Sequence, residues 1–173
     1  QYLAAADRPI LLRGGTIIDG TGRPAFSGEI LVRGDRIDSV DSRVEDEDAS
    51  VLDCTGMIVC PGFIDVHTHA DRIIDLPSAL NMLKQGVTTV ISGNCGSSGF
   101  PIQKLLKKVE AAQPSINFAT LVGHGTIRHH AMGGAFNRKP TFAELKRMKV
   151  YAEKAMKEGA LGISTGLFYV PGA

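Results

Sequence analysis

Cysteine is scarce in this chain, with three in 173 residues: Cys54, Cys60 and Cys95. The number is odd and no pair has the CxxC spacing, which excludes a disulfide framework and a zinc ribbon. Excess charge is missing too. The formal net charge is +1, so no electrostatic force draws the chain to nucleic acid or an anionic membrane. No apolar run is long enough to span a bilayer. The opening QYLAAADRP has no charged segment leading into an apolar one, so no secretory signal is read there. The expected compartment is the cytoplasm, with periplasm or secretion left open. Gly93 to Gly99 is glycine-rich but fits neither the Walker pattern nor GxGxxG, and nucleotide is not expected as a ligand.

Glycine is plentiful, with 20 residues against an average share of about 7%. Gly93, Gly96, Gly99, Gly123, Gly125, Gly162 and Gly166 cluster where apolar segments end, as tight turns and close backbone approach require. Residues 1–60 read as a small β segment. ILLRGGTIIDG, GEILVRG, RIDSV and SVLDCTGMIVC are short strands, and the acidic run Glu45 to Asp48 is a solvated loop between two of them. Cys54 and Cys60 are expected to be small buried hydrophobes. From Pro61 the rhythm changes to alternating strand and helix. GFIDVHTH, VTTVISGN, INFATLVGHG and GALGISTG are predicted strands, separated by LPSALNMLKQG, FPIQKLLKKVEAAQ and a helix from Thr141 to Gly159. Thr141 and Glu144 form a capping box, and Phe142, Leu145, Met148, Ala152, Ala155 and Met156 form its apolar stripe. This alternation predicts an α/β fold with a parallel sheet over residues 61–173.

The chemistry-bearing residues gather at predicted strand ends. His67 and His69 stand two apart on the first strand, so both leave one face, at the C-terminal edge where parallel α/β folds place their sites. They are either ligands of one cation or a half-exposed pair at a strand end. Asp65 is a deeper polar group on that face. Cys95 ends the next strand, where a thiolate would converge on the same cation; the alternative is a buried apolar side chain. His124, read as ending the third strand, is either a further pocket group or a histidine bonded to backbone. His129 and His130 read as solvated loop residues, Arg138 and Lys139 as surface charge. The fourth strand holds no lysine, and Ser164 and Thr165 have no histidine at the spacing of a serine hydrolase.

The β-rich start leading through DCTGMIVCPGFIDVHTHAD resembles the amidohydrolase superfamily. GVTTVISGNCGSS, LVGHGTIR and GALGISTGLFYVPGA narrow the resemblance to the N-acyl-D-amino-acid deacylase (D-aminoacylase) family, over residues 10–173. The resemblance implies a (β/α)8 barrel of the TIM type beside a small β-sandwich. Residues 1–60 would be a segment of the sandwich. Residues 61–173 would be about the first four strands of the barrel, completed by the same or a second chain. It implies one or two Zn2+ ions, with His67 and His69 as first-strand ligands. Cys95 would be the zinc ligand this branch uses where other branches place a modified lysine on strand four. Tyr169 would lie near the substrate pocket. The family's further histidine ligands and its general-base aspartate are expected beyond residue 173, so these residues alone are expected to be inactive.

The implied reaction is zinc-dependent hydrolysis of small N-acyl-D-amino acids to a carboxylate and a D-amino acid. A cyclic-amide hydrolase of the dihydroorotase or hydantoinase kind is the first rival, and the missing strand-four lysine and the NCG sequence count against it. A non-catalytic scaffold with the same fold is the second. It would be expected to lose its ligands first, and all three are present.

Overall fold

The short β stretches before Pro61 pair with one another. In the computed structural model, which describes residues 8–168, 170 and 171, β1 (Ile10–Ile17) is the centre of a five-stranded mixed sheet. It runs antiparallel to β2 (Phe26–Arg33) and parallel to β4 (Ser50–Asp53) and β5 (Ile58–Val59), while β3 (Arg36–Asp41) pairs outside β2. The β2–β3 hairpin turns through Gly34, whose φ of +59° suits a residue without a Cβ. Leu11, Leu31 and Val44 bury one face. Ile37, Val51, Leu52 and Ile58 remain more than half exposed, so the sheet keeps apolar surface outside the Leu11 core. Cys54 is buried as expected, but Cys60 is exposed. It stands just past Val59, the last residue of the ladder.

The chain divides into two compact units, Gln1–Pro61 and Gly62–Ala173. The second is built on parallel strands taken in chain order. β6 (Phe63–Asp65), β7 (Val87–Ser92) and β8 (Asn117–Thr120) form one ladder, and β9 (Val122–Gly123) and β10 (Ile163–Ser164) form another. The ladders are continuous through Leu121, whose N–H donates to Ser92 O while Thr120 O accepts from Leu161 N, each at 2.9 Å. The result is four adjacent parallel strand positions with helices between them, the order in which a (β/α)8 barrel begins.

A 3₁₀ turn (Ala70–Ile74) and α1 (Leu80–Leu83) join β6 to β7, and α2 (Ile102–Ala112) joins β7 to β8. Ile73, Val90, Val109 and Ile116 pack between them. α3 (His124–Met132) and α4 (Phe142–Lys157) cover the far end, where Ile102, Val122, Ile127, Ala131, Met148 and Ala155 form the larger core. Each of the larger side chains among them, Ile102, Val122, Ile127 and Met148, contributes roughly 1.5–3 kcal/mol on leaving water. The α4 stripe is narrower than its sequence implies: Met148 and Ala155 are buried, but Phe142 is 86% exposed. No helix among the described residues is long and apolar enough to cross a membrane.

The capping box at the start of α4 is present, with Glu144 N donating to Thr141 Oγ1 and Thr141 N to Glu144 Oε2. Arg138 is not the free surface charge expected, because its guanidinium donates to both Glu144 oxygens at 2.8 and 2.7 Å. The Arg138 guanidinium, and then the Thr141 N–H, hold the Glu144 carboxyl far below the usual carboxylate range. The folded state therefore binds this proton less readily than the unfolded chain. Its contribution is complete above about pH 4.5, the ordinary value, and is lost as the pH falls below that. Glu144→Gln should accordingly flatten the acid limb of the stability–pH curve, read by denaturant unfolding of the full-length protein.

Candidate metal site

The backbone carries three donor side chains to one place at the C-terminal ends of the first two parallel strands. One ligand atom each from His67, His69 and Cys95 lie within 4.8 Å of one another, and His67 Nε2 is 3.3 Å from Cys95 Sγ. The imidazole centroids are 6.0 Å apart and the rings are inclined by 66°. His67 and His69 are exposed and Cys95 is half-buried. Two imidazoles and a thiol converging in this way suit a borderline-soft divalent ion, and zinc first among them.

The three side chains are held just past the strand ends rather than in the ladder. β6 stops at Asp65, whose Oδ1 accepts the His67 N–H at 3.1 Å and draws it out of the sheet pattern. Thr68, between the two histidines, points the other way and is buried. Its N–H and its hydroxyl both donate to Ile91 O. Asn94 is buried as well and donates from Nδ2 to Thr68 O (3.2 Å) and Ile91 O (2.8 Å), tying the histidine segment to the end of β7. Thr68 and Asn94 carry no chemical signal in the sequence beyond adjacency to His67, His69 and Cys95.

Cys95 sits in a left-handed turn, at φ +56°, a conformation uncommon for any residue but glycine, asparagine or aspartate. Ser164 on β10 holds that turn at both ends, donating to Gly93 O and accepting from Gly96 N at 3.0 Å. The two flanking glycines are required sterically. A Cβ at Gly93 would stand 2.2 Å from Leu121 O, and one at Gly96 would stand 2.8 Å from Gly166 N.

His124 does not end a strand; it is the first residue of α3, after Gly123. Its Nδ1 is buried with no hydrogen-bond partner among the described residues. Burial, and then the Arg128 charge, push the imidazole below its ordinary value. His129 and His130 are exposed, but they belong to the last turn of α3 rather than to a loop, and His130 packs on Phe100 with centroids 4.7 Å apart. Arg128, which nothing in the sequence singles out, is buried and donates to the carbonyls of Phe136, Arg138 and Pro171. Beside Cys95 lies a cavity of about 380 Å³ walled by the turn after β7, by α3 and by Pro171. Tyr169 lies outside the described residues.

A family model described as "Amidohydrolase family" matches residues 50–170, a span that holds all three donors. The chain belongs to that family. Among curated amidohydrolases, the D-aminoacylase of Alcaligenes xylosoxydans xylosoxydans is 36% identical over 95% of this chain and 39% of its own length. The N-acyl-D-aspartate deacylase of the same organism is 34% identical over 97% of this chain and 38% of its own. A solved N-acyl-D-glutamate deacylase from Bordetella bronchiseptica, complexed with zinc and a phosphonate inhibitor, superimposes with a TM-score of 0.84. Its identity is 34%, over 96% of this chain and 40% of that one. The chain thus spans about two fifths of the amidohydrolases it matches. An L-hydantoinase from Arthrobacter aurescens, 16% identical with a TM-score of 0.61, shares the fold.

Proposed function

We propose that the protein to which this chain belongs is a zinc-dependent amidohydrolase that cleaves linear N-acyl-D-amino acids to a carboxylate and a D-amino acid. His67, His69 and Cys95 are its metal ligands in this chain, residues 61–173 are the first part of its barrel, and residues 1–60 are a segment of its β-sandwich. The observation that carries the reading is Cys95 beside the histidine pair. A thiol 3.3 Å from His67 Nε2, on a turn anchored to the fourth strand, supplies the donor that a lysine-less β10 lacks. The 34–36% identity to curated D-amino-acid deacylases supports the substrate class.

His67, His69 and Cys95 would hold the zinc, which when bound would supply Lewis-acid polarisation of an amide carbonyl and a water with its pKa lowered to about 7. The chain's own part is to fix the donors. Asp65 and Thr68 set the path of the histidine segment, Asn94 ties that segment to β7, and Ser164 aims the Cys95 turn. Backbone held in this way limits where the donors can point, which is where preorganised sites gain over flexible ones.

The test is amine release by the full-length, zinc-loaded protein from paired N-acetyl-D- and N-acetyl-L-amino acids, with hydantoin and dihydroorotate alongside. Release from the D series alone is expected. Ring opening without amine release would move the protein to the cyclic-amide hydrolases and overturn the reading.

A further inference from the structure

The turn that carries Cys95 is unfavourable on its own. Gly93, Cys95 and Gly96 all have positive φ, at +76°, +56° and +78°. Glycine suits two of these positions, but the third carries a Cβ, and such a residue persists only where its surroundings determine its conformation. Ser164 fixes the backbone on either side of Cys95, at Gly93 O and Gly96 N. The stretch from 96 to 98 is fixed by a different element.

That element is α3, which begins directly after Gly123 with no side-chain cap of its own. A helix start leaves N–H groups without partners inside the helix, and here the Cys95 turn accepts two of them. Gly123 N donates to Ser98 Oγ at 3.0 Å, and Thr126 N donates to Gly96 O at 3.2 Å. A capping box serves the same two N–H groups, those of the N-cap residue and of the third helical residue, from within one segment. In this fold the partners come from a separate segment. Thr126 returns the contact, since its Oγ1 accepts from Ser98 N at 3.0 Å and donates to Ser98 O at 3.3 Å. The two backbones touch, and a Cβ on Gly123 would stand 2.3 Å from Gly96 O. The start of α3 and the Cys95 turn thus complete one another, and Thr126 is the residue that both gives and receives.

We propose that Thr126 is a positioning residue of the metal centre. From the first turn of α3 it holds the Cys95 turn in its left-handed form, so the thiol is aimed before an ion arrives. The inference rests on Cys95 being a ligand, as in the reading above. It makes α3, which supplies none of the three donors, part of the support of the centre.

The experiment compares Thr126→Val with Thr126→Ser in the full-length protein. Valine keeps the branched shape and removes the hydroxyl, whereas serine keeps the hydroxyl. Zinc affinity, read by competition with a chromogenic chelator, is expected to fall about tenfold or more in Thr126→Val, as when other supporting partners of metal ligands are lost. Thr126→Ser is expected to restore it. In the cobalt-substituted protein the sulfur-to-cobalt band should weaken or move in Thr126→Val and keep its wild-type form in Thr126→Ser. A hydroxyl that serves only the start of α3 would lower the unfolding midpoint and leave both metal readouts unchanged, and that result overturns the proposal. So does a serine variant that behaves like valine.

Hydrogen exchange over residues 93–98 of the wild-type protein, with zinc and after its removal by chelator, does not depend on a variant folding. Equal protection is expected, because every bond named above is made by the protein. Protection that appears only with zinc would show that the ion shapes the turn, and the proposal falls. Failure of the deacylase reading is a separate result. A wild-type protein that hydrolyses no N-acyl-D-amino acid but gives these metal and exchange results keeps the positioning role, whereas one without the cobalt band loses both.

Discussion

Cys95→Ala in the full-length, zinc-loaded protein is expected to lower kcat/KM for an N-acetyl-D-amino acid by on the order of 10³-fold or more, since Lewis-acid stabilisation is worth several kcal/mol. Bound zinc should fall with it. The reasoning starts from position: of the three cysteines only Cys95 lies within ligand distance of an imidazole, at 3.3 Å from His67 Nε2. Removing the thiol takes away a third of the visible donor set, while the two histidines alone, both exposed, hold an ion weakly. Replacement of exposed Cys60 by serine is the matched control and should change neither quantity. Cobalt substitution separates ligation from packing. A sulfur-to-cobalt charge-transfer band should be present in the wild-type protein and in His69→Ala, and absent from Cys95→Ser. Cys95→Ala with wild-type zinc content and turnover would remove the assignment.

Arg128→Leu should destabilise the full-length protein by about 3 kcal/mol or more in denaturant unfolding. Its guanidinium is buried and serves the carbonyls of Phe136 and Arg138 at 3.3 and 2.9 Å as well as Pro171 O. Leucine fills most of the space but leaves those acceptors without a donor, at roughly 1–3 kcal/mol each where they are shut off from water. Arg128→Lys should recover only part of the loss, because an ammonium cannot reach three carbonyls in the plane that the guanidinium spans. A leucine variant as stable as the parent would show that water replaces the arginine at little cost.

What could be read from the amino acids followed the strength of local signals. The alternation after Pro61, the Thr141–Glu144 capping box and the two-residue spacing of His67 and His69 all rest on short-range patterns, and each has a counterpart in the fold. Boundaries were less legible. His129 and His130 looked like loop because of the nearby glycines, yet α3 runs through them and ends in a left-handed Gly133. His124 looked like a strand end, because nothing local marks a helix that begins directly after Gly123 without a side-chain cap. Arg138 gave no sign of its pairing with Glu144, and Arg128 none of its burial, since neither follows from periodicity. Thr68, Asn94 and Ser164 act through hydrogen bonds that exist only once strands distant in sequence lie side by side.

Ser164 makes the Cys95 turn answerable to a strand far along the chain. Its hydroxyl is 2.5 Å from Gly93 O and also receives the Gly96 N–H, so a fourth-strand residue governs where a second-strand thiol points. Loss of that hydroxyl would release both ends of the turn at once, so the tolerance of the thiol to change is set in part by a residue on another strand.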